Sequence, residues 1–309
     1  MSRSVFLPQE IRPVDQEQQR LTERHLQGRL AEVERYLYAV RREIDQELPG
    51  FIPTYRKPYP YGCCLEISEA FEKKLRAAVA SDTALPGLDA LRAFMGEGGY
   101  VGSVWGALRE RYFQNAFQFG SLYVDVSNDT VDVRKPSIEI LPMAESGLVN
   151  ISSLEHFVRI GQAYWGAEFY VNDVWPALAP IAPLVMHLPD RQALQLSNSS
   201  AYMVAWQRRD RYQGAEAYLA TAPSLPAAAR ESFLACIAPR RRVADARQGR
   251  TMSMAACASL RKATPLQESM WLNRQLAEWG ASRRRAEIPR PQGASSTGQS
   301  GWAGTASGR

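Results

Sequence analysis

The chain has 309 residues, 45% hydrophobic and 22% charged, the make-up of a globular protein with one large domain or two ordinary ones. It has no apolar run of about 18 residues and no apolar stretch of signal-peptide length near its start, so neither a membrane span nor export by that route is expected. The net charge of +5 is unevenly spread: residues 1–220 hold 23 Lys+Arg against 27 Asp+Glu, and residues 221–309 hold 14 against 5.

Residues 15–48 read as one long helix. Leu26, Leu30, Val33, Leu37, Val40 and Ile44 recur in alternating steps of four and three, which is the a/d seam of a heptad. Leu48, Pro49 and Gly50 end it. This N-terminal unit, residues 1–50, is expected to pack on the body. The seam also offers a contact for a homodimer through 15–48.

A main α+β domain is expected over 51–220. "FIPTYRKPYPYG" must be extended loop, because its prolines remove donors and restrict their neighbours. Helices follow at 64–80 and around 87–95, separated from the next segment by "GEGG". Trp105, Leu108, Tyr112 and Ala116 have helical spacing, so 104–118 reads as a third helix. Residues 120–141 carry the strongest β signal: Leu122, Val124 and Val126, then Val131 and Val133, then Ile138 and Ile140 alternate with polar residues around "SNDT". Ser152 and Glu155 make a capping box for a helix with Leu154, Phe157, Val158, Gly161 and Trp165 on one face. "WPALAPIAPLV" has too many prolines for a helix and reads as a buried extended connector. A further helix covers about 198–219.

After residue 221 the apolar pattern degrades. All 13 tyrosines lie at or before Tyr218, and the rest is Arg-rich with a Gly/Ser/Thr-rich end. This composition fits a disordered basic C-terminal tail over 221–309, or a segment read in a different frame. The fold class is therefore α+β: a helix-dominated body, a small antiparallel sheet at about 120–141, and the tail.

The cysteines stand at 63, 64, 236 and 257, with no CxxC, so free thiols of a reducing cytoplasm are expected. "GCCLEISEAFEKKL" places Cys63 and Cys64 at the start of a helix. A thiol there has its pKa lowered by the helix dipole, which is one recipe for a nucleophile. The order of a cysteine opening a helix and a sheet following it is similar in outline to papain-like and transglutaminase-like enzymes. That resemblance runs from the Cys-helix to the 120–141 strands and matches no full motif. It implies a histidine base and a carboxylate or amide that orients it. The chain offers His156 or His187 as base and Asp125 as orienter. The competing reading is structural: Cys64 shares a helical stripe with Ile67, Phe71 and Leu75, leaving Cys63 the less buried of the two.

The oxygen-rich "DVSNDTVD" departs from the calcium-loop pattern and reads as turn chemistry. No dinucleotide, P-loop, nucleophile-elbow or zinc motif is present, so no cofactor or metal is expected. Two functions from different classes follow. One is a thiol-dependent hydrolase or acyl/amide transferase. The other is a non-catalytic regulatory protein that binds nucleic acid or another acidic partner through 221–309.

Overall fold

A computed structural model describes residues 6–51, 58–189, 193–197 and 200–283. It is a mixed α+β structure, 55% helical and 15% strand, so helices do dominate. The expected disorder beyond residue 283 lies outside the described residues, as does most of "FIPTYRKPYPYG".

The long N-terminal helix is two. Helix α1 spans Gln16–His25, a 3-10 turn covers Gln27–Arg29, and α2 spans Leu30–Glu47. Leu26, Val33, Leu37, Val40 and Ile44 are all buried within this one chain. They face α3 (Cys64–Val79), α4 (Pro86–Gly96) and the sheet described next. The seam is thus packed against the rest of its own chain. Helices α3 and α4 lie where their apolar spacing places them.

The segment 104–118 is not a helix. It forms a hairpin of β1 (Val101–Leu108) and β2 (Tyr112–Phe119), in register from Val101 opposite Phe119 to Leu108 opposite Tyr112. Trp105, Ala107, Phe113 and Phe117 point to the helical side; Val104, Leu108 and Ala116 point to the other. Because both faces are buried, the apolar residues do not alternate cleanly with polar ones, and a helix-like spacing arises by coincidence.

Strand β3 (Leu122–Asp125) extends the hairpin, and β4 (Glu139–Pro142) pairs with β3. The expected Val131–Val133 strand is instead turn, with Val133 45% exposed. A short helix α5 (Met143–Ser146) leads to β5 (Leu148–Val149) on the far edge, giving the antiparallel order β4-β3-β2-β1-β5.

Helix α6 (Leu154–Trp165) packs across β2. Its cap is Ser153, one residue later than the sequence pattern indicates: the Ser153 hydroxyl accepts the His156 N–H at 3.0 Å. A second antiparallel sheet, unforeseen from sequence, joins β6 (Glu168–Val171), β7 (Leu184–Leu188) and β8 (Ala193–Ser197). The proline-rich connector between β6 and β7 is buried as expected, but it is coiled into tight turns rather than extended, and its last residues belong to β7.

The 198–219 helix is broken into α7 (Ala201–Arg209) and α8 (Gln213–Thr221), with Arg211 and Tyr212 in the left-handed region between them. The basic segment then folds. Helices α9 (Ala227–Ala235), α10 (Ala246–Lys262) and α11 (Pro265–Arg283) insert Phe233, Cys257, Leu272 and Trp279 into the core built on α6 and the second sheet. The tail expected from 221 therefore carries helices through Arg283 and is packed into the core as far as Trp279.

Candidate functional site

Helix α3 begins at Cys64. Gly62, at φ 69°, turns the chain into it and donates its N–H to the Thr130 carbonyl at 2.9 Å. Cys64 lies on the buried stripe with Ile67, Phe71 and Leu75. Cys63 is fully buried and Cys64 is 9% exposed, the reverse of the sequence expectation. Asn115 Nδ2 donates to the Cys64 Sγ at 3.6 Å. Burial pushes the Cys64 thiol up from its ordinary range, Asn115 pulls it partly back, and the Asp125 and Glu66 carboxylates push it up further. Burial thus outweighs the helix dipole at Cys64 and disfavours its thiolate.

Asp125, the expected orienter, ends β3 and is fully buried. Its carboxylate accepts four bonds: Gln114 Nε2 at 2.8 Å, Tyr123 Oη at 3.0 Å, and the Ser127 N–H and hydroxyl at 2.8 and 3.0 Å. Burial raises its pKa to about 6, while the Ser127 and Tyr123 donors hold it down. The Asn115 carbonyl accepts from Ser68 at 3.3 Å and lies 3.4 Å from the Ser127 hydroxyl. So Cys64 and Asp125 do belong to one polar network, joined through Asn115 and Ser127.

The histidines stand elsewhere. His187 lies on β7 with its Nδ1 2.8 Å from Glu168 Oε2. His156 lies in the first turn of α6, with Nδ1 3.2 Å from Ser152 Oγ and Nε2 3.3 Å from Glu110 Oε2. His25 likewise faces Glu97 at 3.2 Å. Each of the chain's three histidines faces a carboxylate. The structure thus joins two of the five expected site residues and separates the other three from one another by role. The sequence pattern reads Ser152 only as a helix cap and gives no signal for Glu110. The Ser152–His156 spacing is visible there, but Glu110 comes from the β1–β2 turn.

The "SNDT" oxygens are committed to protein. Asp129 pairs with Arg41, and the Asp132 carboxylate bonds the Arg134 side chain and N–H, which lowers its pKa to about 2. Among the described residues no group of three or more His, Cys, Asp or Glu is placed to hold a metal ion, and no helix is long and apolar enough to cross a membrane.

The basic segment divides by use. Arg230 pairs with buried Asp173 and donates to the Val243 and Ala244 carbonyls at 2.9 and 2.8 Å. Arg250 binds the carbonyls that close α8, and Arg261 pairs with Glu216. Arg240, Arg247, Lys262 and Arg274 are exposed, and no carboxylate pairs with them among the described residues. On the outward side of α11, Leu266 is 70% and Met270 65% exposed, one helical turn apart. No protein-family model, curated protein or solved structure matches the chain, so its function has to be read from these residues alone.

Proposed function

We propose that this is a binding protein whose C-terminal helices α10 and α11 engage an acidic partner. The observation that carries this reading is the exposed charge, with no carboxylate partner among the described residues, of Arg247, Lys262 and Arg274 on helices that are themselves anchored in the core, with Arg240 in the 3-10 turn before α10. A cation on a packed helix costs less entropy to engage than one on a loose tail. Leu266 and Met270 add an aliphatic element beside Arg274 on the same helix face. Arginine and methionine with aliphatic area favour an acidic protein segment; a nucleic-acid surface would call for stacking aromatics between the cations. The thiol-transferase alternative has less support, because Cys64 is buried, its thiol is raised and its partner is an amide rather than a base.

The test is a fluorescence-anisotropy titration of the full chain with a Glu-rich amphipathic peptide and, in parallel, a single-stranded oligonucleotide of equal charge, across a salt series. The peptide is expected to bind more tightly. The triple variant R247E/K262E/R274E is expected to weaken it about tenfold or more. Tighter binding of the oligonucleotide, or an unmoved affinity in the triple variant, would overturn the proposal.

A further inference from the structure

We infer that Ser152, His156 and Glu110 form a separate site, a serine nucleophile for small acyl esters at the N-terminal end of α6. Three observations converge on it. The first is the hydrogen-bond state of the imidazole. The Ser152 backbone N–H points at His156 Nδ1 at 3.3 Å, and an N–H can only donate. Nδ1 is therefore the unprotonated nitrogen, and the ring proton sits on Nε2. The Ser152 hydroxyl lies 3.2 Å from the same Nδ1 and competes with that N–H for its one lone pair. Nε2 faces Glu110 Oε2 at 3.3 Å, within ion-pair reach though off the line of a good hydrogen bond. This is the tautomer a general base requires, with a carboxylate behind it to stabilise the imidazolium that forms.

The second observation is that helix capping does not account for Ser152. Ser153 is the cap, and its hydroxyl already takes the His156 N–H. The exposed Ser152 hydroxyl is surplus to the cap, and the imidazole against it is 8% exposed. Ser153 takes the His156 and Phe157 N–H groups, which leaves those of Leu154 and Glu155 free of the helix ladder at the end where the dipole favours negative charge.

The third is how Glu110 gets there. Arg109 and Glu110 occupy the β1–β2 turn with φ of 51° and 57°, left-handed conformations that non-glycine residues adopt at a cost. That turn aims Glu110 at α6, where Arg159 Nη2 fixes it at 2.5 Å.

In the reaction, Ser152 Oγ bonds to the ester carbonyl carbon as its proton passes to His156 Nδ1. The tetrahedral adduct collapses, the ester C–O bond breaks, and the alkoxide leaves as alcohol with that proton. Water then attacks the acyl-serine, gives a proton to Nδ1, and the carboxylic acid departs as Ser152 recovers its proton. Glu110 is a positioning residue. No oxidant or reductant is consumed. The position of Ser152 on the surface fits esters with a short, unhindered acyl group.

The full chain is treated with a fluorophosphonate probe, the adduct is mapped by peptide mass spectrometry, and p-nitrophenyl acetate turnover is followed. A single adduct on Ser152 is expected, absent in S152A. E110Q is expected to slow labelling about tenfold or more, with E110D restoring part of the rate. S153A, which removes the cap, is expected to lower thermal stability but keep the adduct on Ser152. Folding of every variant is checked by circular dichroism. No adduct on Ser152, or a labelling rate and ester turnover unchanged in both S152A and E110Q, would overturn the inference.

Discussion

Arg41, buried in α2, grips Asp129 with two prongs: Nη1 and Nη2 lie 2.9 and 3.0 Å from the two carboxylate oxygens. The same guanidinium donates to the Val126 carbonyl at 2.8 Å and to Asp45 at 2.7 Å. Burial works against its charge, but Asp129 and Asp45 outweigh that and hold its pKa above the ordinary arginine value. The pair ties the N-terminal helices to the loop that follows β3. Removing one partner of such a buried pair strands the other. Arg41→Met is therefore expected to cost about 3–5 kcal/mol in urea unfolding, and the double variant Arg41→Met/Asp129→Leu to recover much of it. A loss no larger than for an exposed pair would show that water already shares the charge.

Asp125 makes stability depend on pH. Its folded pKa, about 6, is above the 3.8 of a free aspartate, so the native state holds the proton more tightly than the unfolded chain. The contribution is fully present below about pH 4 and is lost as pH rises through 6. Its total is about 3 kcal/mol for a fully buried group. Asp125→Asn removes the titration, and the Gln114 amide and Tyr123 hydroxyl have only to reverse to satisfy the new NH2. The stability difference between wild type and Asp125→Asn is expected to grow between pH 4 and 6.5 in favour of the variant. A flat difference would contradict the buried carboxylate.

The thiols should be slow. Cys63 and Cys257 are fully buried, Cys64 nearly so, and Cys236 is half-buried. Burial also pushes the Cys257 thiol up to about 12. Native iodoacetamide labelling near pH 7.5 is expected to modify Cys236 first, with Cys64 reacting on the timescale of opening of α3. Faster labelling of Cys64 than of Cys236 would return the thiol to the candidates for nucleophile.

Gly249 tests how the C-terminal helices are docked. A Cβ at this position of α10 would be driven into the Asp173 carbonyl oxygen. One turn later Ser253 Oγ donates to the Asn172 carbonyl at 2.8 Å. Gly249→Ala is expected to cost about 2–3 kcal/mol by overpacking, read from denaturant midpoints. Ala255→Ser, on the exposed side of α10, serves as the neutral control. No loss for Gly249→Ala would mean that α10 is free to shift off the connector.

Helices α3, α4 and α6 were legible in the sequence because each buries a single stripe. Ile67, Phe71 and Leu75 recur at helical spacing and face one neighbour, so periodicity and structure coincide. Residues 104–118 were not legible. Trp105 and Phe113 serve one side of the sheet and Val104 and Ala116 the other, which erases the two-residue alternation a strand leaves when one face is wet. The basic end misled for a related reason. Arg230 and Arg250 look like solvated charge, yet they are spent on Asp173 and on the carbonyls that end α8.

By itself the sequence determined the α+β class, the dominance of helix, the helix-mounted position of Cys64 and its apolar stripe. These are local properties, set by spacing along the chain. Only the tertiary structure decided that Cys64 meets Asn115, that Asp125 is buried among four donors, and that His156 faces Ser152 and Glu110. The Cys64–Asn115 and His156–Glu110 contacts join residues far apart in the chain, and the nearer partners of Asp125 converge on it only once the fold buries them. A protonation state or a catalytic geometry arises from what surrounds a group in space, which one chain's spacing does not encode.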